Sequence, residues 1–577
     1  MFVSNRACRT ILSVTLALVS LSCEGQEPHH AVTDAAVDGA VAETRIHLRV
    51  VDAVTGKPLP SIVSLLDDAG NPIAFGNLTD RPGWAQGQSA ADLTKDILGY
   101  AHGMVLWRGE ATLPFGRSFR FPDPFQRSMY EVTLPRRLYT ARISRGPEYD
   151  LVETQIDARP GQGDINLEIP LERTVDTAGY VAADFHVHSA PVSSDAGARL
   201  GDLLRLAAGS GVELVANTEH DGFDDLEKTL APYWPRAERP LSTIAGVEIG
   251  GPAGAHFTVL FPDGPSPEGL AAIRAIPLDP IAGWMQGIRA LPLQPVLGMV
   301  HPRIGYGAYL DTPLCGAWAK RDRSAAPPCP QSYDIFEALS GWDLCGSHLH
   351  WALDDWYALL NRGIITTAVS GSDSHYLTGM QVGIPRTYLA MNDQTVSQLA
   401  GREVLQAIRN RRTILTTGPF VTLTVGDAHE GERLRPGPGP TNATIRVQAA
   451  NWVDVSRVRL LQEGKAIQEW TVERKPMVRF DQTFEHTLEA TTMKKDTYFN
   501  VEVDGQQPSL SHLAGVYTYL PGYGLEKCPP LPGQPAGVVP FAVTAPIFVD
   551  ANADRRFKGT KLVMPKDIET ARTNVRN

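Results

Sequence analysis

The sequence predicts an α/β protein in which a barrel of alternating strands and helices lies between two β-rich segments. Strand-like and helix-like runs alternate over residues 178–418, as parallel βαβ units do, and roughly 240 residues is a usual length for such a barrel. Short strands separated by turns fill residues 45–175 and 419–577, which is the pattern of β-sandwiches. The 52 glycines and 44 prolines supply the many turns that this arrangement needs.

The first 23 residues have the pattern of an export signal. Arg6 and Arg9 precede an apolar stretch over 11–21 that is too short to span a membrane. Ser22-Cys23 then resembles a bacterial lipobox, so we expect Cys23 to carry lipid and residues 24–44 to form a flexible tether. Cleavage with simple secretion, and an uncleaved core helix, stay open as alternatives. Glu24 after Cys23 favours the outer membrane as the site of anchoring.

The composition is that of a globular protein, with 43% hydrophobic and 20% charged residues. The net charge of -11 argues against a nucleic-acid-binding protein, because such a protein needs a basic surface to hold phosphates. No apolar run reaches about eighteen residues, so no membrane-spanning helix is predicted. We therefore expect membrane contact only through lipid on Cys23.

The predicted elements follow one another along the chain. The alternating pattern of the first segment predicts strands at 46–51, 61–66, 130–134, 138–143 and 165–171. In the barrel, strands are predicted at 181–188, 213–218, 242–249, 257–261, 295–300, 335–339 and 364–370, and helices at 199–208, 280–291, 351–361 and 403–409. The last segment has predicted strands at 421–425, 443–450, 458–462 and 498–503.

Export would place four further cysteines in an oxidising compartment. Cys315 and Cys329 flank a proline-rich loop and could form a disulfide across it. Unpaired buried thiols are the alternative. The spacing of these two residues with Cys345 and Cys528 is not that of a zinc site.

Most of the predicted barrel strands end in residues that bind metal ions. His186 and His188 are two residues apart and so share one face of a strand, and Asp373 and His375 have the same spacing. Other candidates follow or begin the remaining strands: Asp195, His220, Glu248, His256 and His301. Strand ends converge on one face of a parallel barrel, and active sites lie there.

This number of ligands at one face predicts bound divalent cations, because uncompensated charges and bare imidazoles would destabilise one another. Histidine and carboxylate ligands without thiolate suit Zn, Mn or Fe. More than four ligands indicate two or three ions. Metals bridged by a carboxylate produce a hydroxide nucleophile at neutral pH, so the pattern predicts a metal-dependent hydrolase.

Several neighbouring residues give weaker signals. Glu337 is a candidate for a metal ligand or for a residue that supports one, and a buried ion pair with arginine is the alternative. Glu219 and Asp221 flank His220 and are expected to orient its ring. His348 and His350 precede a helix and are expected in surface or capping roles.

A second metal site is a possibility near the C-terminus. Asp550, Asn552 and Asp554 place oxygen atoms at every second position, as calcium loops do. The loop lacks the glycine and the distal glutamate of such sites, so a turn with side-chain caps is the alternative.

The motifs together resemble those of the polymerase-and-histidinol-phosphatase (PHP) superfamily of metal-dependent hydrolases. They are D-F-H-V-H-S at 184–189, S-D at 194–195, T-E-H-D at 218–221, G-V-E-I at 246–249, H-P-R at 301–303 and S-G-S-D-S-H at 370–375. R-G-P-E-Y at 145–149 and G-I-P-R-T-Y at 383–388 resemble the CehA/McbA family within it. The resemblance covers most of residues 130–425. Residues 50–60 resemble a carboxypeptidase regulatory-like β-sandwich.

The resemblance implies a distorted (β/α)7 barrel and a role for each motif. It implies three ligand groups, in which Glu248 bridges the first two: His186, His188, Glu248 and Asp373; Glu248 with His256, His301 or both; and Asp195, His220 and His375. Asp373 and Glu248 are the expected catalytic carboxylates. Val300 departs from the family pattern, in which Asn is usual before the HPR motif. Arg303 and Arg386 are candidates for holding a substrate anion, and a structural salt bridge is the alternative for each.

The resemblance implies hydrolysis of a phosphoester in a small anionic substrate. Carboxyl-ester or carbamate hydrolysis is the alternative within the same fold. A catalytically inactive surface binding module is the alternative of a different class. Because the chain is acidic, an anionic substrate would have to be attracted by the metal ions rather than by the protein surface.

Overall fold

The described part of the chain is most of its length. The structure, a computed structural model, describes residues 44–73, 97–100, 103–116, 118–122, 129–303, 307–341, 344, 349–377, 381–392, 396–506 and 538–560. All of these residues belong to one unit, Glu43–Asn577. The predicted export signal, the tether up to residue 43, Cys345, Cys528 and His348 lie outside the described residues.

The described helices lie in the middle of the chain, and strands lie throughout it. The strands are β1 (Thr44–Asp52), β2 (Ser61–Leu66), β3 (Ile97–Tyr100), β4 (Gly103–Leu106), β5 (Glu110–Phe115), β6 (Ser118–Pro122), β7 (Met129–Thr133), β8 (Leu138–Ser144), β9 (Val152–Asp157), β10 (Ile165–Leu171), β11 (Tyr180–Val187), β12 (Leu214–His220), β13 (Ser242–Gly250), β14 (His256–Leu260), β15 (Val296–Met299), β16 (Ile335–Ser340), β17 (Thr367–Gly371), β18 (Arg386–Ala390), β19 (Thr413–Thr416), β20 (Phe420–Val425), β21 (Ala428–His429), β22 (Arg433–Leu434), β23 (Thr441–Ala449), β24 (Arg457–Gln462), β25 (Lys465–Thr471), β26 (Phe480–Leu488), β27 (Thr497–Asp504), β28 (Phe541–Thr544) and β29 (Ile547–Val549). The α-helices are α1 (Leu200–Gly209), α2 (Leu226–Leu230), α3 (Pro267–Arg274), α4 (Ile281–Arg289), α5 (Trp351–Leu360) and α6 (Gly401–Asn410). No described helix has the length and apolar character that a membrane span requires.

One large sheet positions the candidate site. Its strands pair in the order β17-β16-β15-β14-β13-β12-β11-β18-β19-β28-β27-β24-β25. The pairs β11–β12, β12–β13, β15–β16 and β16–β17 are parallel, as the alternation of strands and helices predicts. β14 is antiparallel to both β13 and β15, so the expectation of parallel units throughout is wrong at this strand. Only residues 251–255 separate β13 from β14, and a parallel crossover needs about a dozen or more.

The ladders of the described strands do not show a closed barrel. β11 pairs with β12 at one edge and with the antiparallel β18 at the other. An isolated parallel bridge between Val187 and Ser374 places the ends of β11 and β17 side by side. The carboxyl ends of β11 and β17 therefore lie close together, but no continuous ladder of backbone hydrogen bonds joins these two described strands directly.

The N-terminal segment contains two sheets that share a hydrophobic core. Their strand orders are β10-β1-β5 and β3-β4-β2-β8-β9. Ile46 and Leu48 of β1 belong to the same buried cluster as Val63 and Leu65 of β2. The alternation along β1 therefore buries one face, as the sequence pattern predicts.

The C-terminal segment adds strands to the central sheet as well as forming its own. β21-β20-β23-β26 form a separate four-stranded sheet. β28 pairs with β19, and β27, β24 and β25 extend the central sheet beyond it. The buried hydroxyl of Tyr357 on α5 donates to Glu502 of β27 at 2.8 Å. The last segment is thus continuous with the central core.

The predicted disulfide is confirmed. Cys315 and Cys329 are bonded to each other in the segment between β15 and β16, and both residues are buried. The alternative of free thiols is therefore excluded for this pair.

Truncation of the apolar face of α1 should destabilise the protein. Leu200, Leu203, Leu204 and Ala207 are all buried, as the helical spacing predicts. We expect Leu204→Ala to lower the free energy of unfolding by about 2–5 kcal/mol, because it leaves a cavity in a close-packed core. Leu278→Ala, at a side chain that is 49% exposed, is the control and should change it little. Equal effects in chemical denaturation would contradict this prediction.

Candidate metal centre

Six neighbouring strands bring the predicted ligands together. His186 is the last residue but one of β11, His188 directly follows that strand, and His220 ends β12. Glu248 lies near the end of β13, and His256 opens β14. The other ligands follow β15 or β17: His301, Asp373 and His375. Because β13 and β14 are antiparallel, the end of one strand and the start of the next meet at the same edge of the sheet.

The first ligand group consists of four buried side chains. The His186 and His188 Nε2 atoms lie 2.9 Å apart. Asp373 Oδ1 lies 3.3 Å from His186 Nε2 and 3.1 Å from His188 Nε2. Glu248 Oε2 lies 3.3 Å and 3.0 Å from the same two nitrogens. The four atoms therefore surround one small volume, and this group could hold a metal ion.

The second ligand group shares Glu248 with the first. Its other carboxylate oxygen, Oε1, lies 2.8 Å from His256 Nδ1 and 3.0 Å from His301 Nε2. Both histidines contact this oxygen, and the sequence had left open whether one or both would. Glu248 is thus placed between two groups that could each hold a cation.

The third ligand group lies at the exposed rim of the site. His188, His220 and His375 form a further group that could hold an ion. Asp195 Oδ2 lies 3.2 Å from His220 Nε2 and 3.6 Å from His375 Nε2, so the predicted aspartate is also present. The exposed fractions of the Asp195 and His220 side chains are 43% and 27%, whereas Glu248 is 1% exposed. Solvent therefore reaches the centre from this side.

Buried carboxylates hold two of the ligand rings in place. Glu337 Oε2 lies 2.9 Å from His186 Nδ1, on the opposite side of the ring from the first group. Ser193 Oγ lies 3.2 Å from His188 Nδ1 and donates to Glu219. Glu337 therefore supports the His186 ring. Glu219 acts through Ser193 on the His188 ring rather than on the His220 ring predicted for it.

Asp221 does not take the orienting role that was predicted for it. Its side chain is exposed and pairs with Arg274 at 3.3 Å. Its φ of 53° lies in the left-handed region and turns the chain away after His220. Backbone geometry at this position, which sequence reasoning did not address, explains the difference.

Arg303 and Arg386 are both in buried ion pairs, which was the alternative considered for each. Arg303 contacts Asp355 with two nitrogens and Asp311 at 2.9 Å, and it donates to the Trp318 carbonyl at 2.7 Å. Arg386 lies 3.3 Å from Glu148. These contacts agree with the salt-bridge alternative for both arginines.

The charges in the cluster depend on one another. Burial lowers the pKa of His186, but Asp373, Glu337 and Glu248 raise it well above its usual range. Burial also opposes charge on His375, yet Asp373 and Asp195 raise its pKa to about 9. Burial raises the pKa of Glu248, but His186 and its neighbours hold it well below the usual range. Without metal, protons on His186 and His375 therefore offset part of the carboxylate charge.

The donor atoms fit divalent cations. In a tetrahedral site with bonds of about 2.0–2.1 Å to nitrogen, neighbouring ligand atoms lie about 3.4 Å apart. The separations of 2.9–3.3 Å in the first group approach this value. Two imidazole nitrogens facing each other at 2.9 Å repel unless a proton or a cation lies between them. A cation would compete with protons for this position.

Backbone conformation at the centre could not be predicted from the motifs. His301 and Asp373 have φ values of 26° and 54°, and residues other than glycine rarely adopt positive φ values. Gly371 packs so closely that a Cβ there would overlap the His186 Cβ and lie 3.0 Å from Glu337. Such strain is found at functional sites and persists where the surroundings hold it.

The contacts of the C-terminal loop favour the turn alternative over a calcium site. Asp550 accepts from the Arg555 amide at 2.9 Å, and Asn552 accepts from the Asp554 amide at 2.9 Å. Asp554 pairs with Lys558 at 2.7 Å. These oxygens cap a turn.

His350, predicted to be a surface or capping residue, lies at the N-cap of α5 and packs against Phe541.

Comparison with known proteins gives little further information. A scan against known protein families found no match, and neither did a search of curated proteins. Among solved structures, an amidohydrolase from Chromobacterium violaceum, with bound sulfate and no metal, is similar to part of this chain. The match covers 35% of this chain and 89% of the amidohydrolase chain. The identity is 18% and the TM-score is 0.24, so this likeness carries no argument. The functional argument rests on the geometry of the site.

The metal-free protein should lose stability as the pH rises above neutrality. The pKa of His375 is about 9 in the folded chain and 6.5 in the reference state, so protonation stabilises the fold fully below pH 6.5. This contribution is lost as the pH rises from 6.5 to about 9. Thermal unfolding of chelator-treated protein across this range should give a falling melting temperature. His375→Asn should flatten the profile, and a flat wild-type profile would contradict the prediction.

Gly371→Ala should weaken metal binding, because the added methyl group overlaps His186. We expect a loss of affinity for Zn²⁺ of about tenfold or more, as for other changes beside metal ligands. Gly250→Ala is the matched control, since Gly250 also ends a strand and a Cβ there meets nothing within 4 Å. Competition with a chromophoric chelator measures both variants. Equal affinities would show that the close packing does not position His186.

Proposed function

We propose that the chain is a multinuclear metal-dependent hydrolase that cleaves a phosphoester in a small anionic substrate. The observation that carries this proposal is the position of Glu248. One of its oxygens faces His186 and His188, and the other faces His256 and His301. A carboxylate between two ligand groups is the arrangement of hydrolytic sites that contain two cations.

The residues of the chain have distinct parts in this proposal. His186, His188, Glu248 and Asp373 would hold one cation, His256 and His301 would complete a second with Glu248, and Asp195, His220 and His375 would hold a third. Divalent cations in such a site lower the pKa of bound water and offset negative charge on the substrate. Glu337 and Ser193 keep the His186 and His188 rings oriented. The exposed rim at Asp195 and His220 is where a substrate would approach.

The choice of a phosphoester is supported by charge as well as by the motif resemblance. Arg303 and Arg386 are committed to buried ion pairs, and the chain has a net charge of -11. The cations would then be the main attraction for an anionic substrate, and several close cations favour a group with more than one negative charge. Carboxyl-ester or carbamate cleavage, and an inactive binding module, are the other outcomes of the test below.

We also propose that the fold is the distorted (β/α)7 barrel of the PHP superfamily, with the CehA/McbA family as the nearer group. The support is that the motifs occur in order at the ends of successive strands β11, β12 and β13 and after β15 and β17. The flanking segments would then be β-sandwich domains with boundaries near residues 175 and 418.

Export and lipid attachment at Cys23 are part of the same proposal. The disulfide between Cys315 and Cys329 supports an oxidising compartment, since such bonds are rare in the cytosol. The support for lipid is the sequence pattern before Cys23 alone. Mass spectrometry of the protein from a bacterial membrane fraction would detect the modified cysteine.

The test is hydrolysis of phosphomonoester, phosphodiester and carboxyl-ester panels by protein loaded separately with Zn²⁺, Mn²⁺ or Fe²⁺. We expect phosphoester turnover and at least about a 100-fold lower kcat/KM for His188→Ala, because it removes a ligand shared by two groups. His47→Ala, on the outer face of the N-terminal sheet, is the control. Turnover of carboxyl esters alone would favour the alternative chemistry. No turnover with any metal would favour a binding module.

A further inference from the structure

A buried ion pair joins the N-terminal segment to the central sheet. Glu148, in the loop between β8 and β9, is buried together with Arg386, the first residue of β18. Arg386 Nη1 lies 3.3 Å from each oxygen of Glu148, and the Tyr388 hydroxyl donates to Oε1 at 2.6 Å. Charge and hydrogen bonds from β18 compensate the burial of this carboxylate, and the charge of Arg173 adds to them.

The same arginine fixes the loop that precedes β18. Arg386 donates from Nε to the Gly383 carbonyl at 3.0 Å and from Nη2 to the Ser210 carbonyl at 2.9 Å. Gly383 has a φ of 82°, and a Cβ there would overlap the Val212 side chain. The position of Gly383 is therefore set both by close packing and by the guanidinium that Glu148 holds.

Gly383 in turn contacts the start of the first metal-ligand group. Its amide donates to Asp184 Oδ2 at 2.7 Å. Asp184 Oδ1 accepts from the amides of His186 at 3.2 Å and Ser372 at 2.9 Å. His186 is a ligand, and Ser372 directly precedes the ligand Asp373. One fully buried carboxylate thus holds the backbone beside both ligands.

We infer that Glu148 is a positioning residue for the group formed by His186, His188, Glu248 and Asp373. It acts through Arg386, Gly383 and Asp184, and it lies outside the central sheet that carries the ligands. The inference rests on the proposed function, because it assumes that this group binds a cation. Through Glu148, the R-G-P-E-Y stretch at 145–149 would help to position this ligand group.

A purely structural role for Glu148 is the competing explanation, and the chain offers a matched control for it. Glu502 of β27 is also fully buried. It pairs with Arg459 at 2.8 Å and accepts from the Tyr357 hydroxyl at 2.8 Å, so its partners match those of Glu148. Its contacts lead to α5 rather than to Asp184. Loss of either carboxylate should lower the melting temperature, but only Glu148 should affect the ligand group.

The experiment compares Glu148→Gln, Glu502→Gln and Tyr388→Phe in the full chain. The readouts are Zn²⁺ affinity by chelator competition and the visible absorption spectrum of the Co²⁺-substituted protein. We expect Glu148→Gln to weaken the tightest Zn²⁺ site by about tenfold and to change the Co²⁺ spectrum. Glu502→Gln should leave both unchanged. Tyr388→Phe removes one hydroxyl only and should also weaken Zn²⁺ binding. If Glu148→Gln does not fold, the result for Tyr388→Phe tests the positioning role of Glu148.

The outcomes separate this inference from the proposed function. A Zn²⁺ affinity equal to that of the wild type in Glu148→Gln would overturn the inference alone. If Glu148→Gln does not fold, the same result in Tyr388→Phe would overturn it. A loss of Zn²⁺ affinity in Glu502→Gln as large as that in Glu148→Gln would also overturn it. Wild-type protein that binds Zn²⁺ tightly but hydrolyses no ester would overturn the proposed chemistry and leave the positioning role standing. Wild-type protein that binds no Zn²⁺ would overturn both.

Discussion

The arrangement of the site depends on the burial of Glu248 among imidazoles. A carboxylate that is almost completely buried is unfavourable unless opposite charge and hydrogen bonds surround it. Here the compensation comes from five histidines carried by β11, β12, β14 and the segments that follow β11 and β15. None of these strands can move far without leaving a charge uncompensated. The architecture of the sheet and the electrostatics of the site therefore support each other, and both favour a bound cation over bare side chains.

Buried charged residues of the central sheet and of the N-terminal segment hold this centre in place. Asp184 and Glu337 hold backbone and ring atoms beside His186, and Glu148 and Arg386 fix the loop that contacts Asp184. Gly146 and Gly211 lie where the N-terminal segment meets the sheet, and a Cβ on either would collide with the opposite backbone. The R-G-P-E-Y stretch thus combines close backbone approach with buried charge, which explains why the flanking segment and the sheet form one unit.

The sequence predicted much of the fold where periodicity was strong. The strands at 61–66 and 165–171 coincide with β2 and β10, and the helix at 351–361 matches α5. It missed β18 and β19, since short strands beside a proline or a turn carry little pattern. It also missed α3, which has only eight residues. The ligand residues were found because strand ends and i, i+2 spacing have direct geometric meaning. Their exact pairing, the outward turn of Asp221 and the strained backbone at Asp373 depend on tertiary contacts that periodicity does not encode.

The pairing of β28 with β19 has a consequence for how the chain acquires its structure. Residues 541–544 complete the edge beside residues 413–416, so that edge stays open until almost the whole chain has been synthesised. An open edge with unpaired backbone groups is a template for association with other chains. Contacts this distant in sequence also slow folding. A chain that ends near residue 418 would retain every candidate metal ligand but would leave the β19 edge unpaired, so it should aggregate more readily than the full chain.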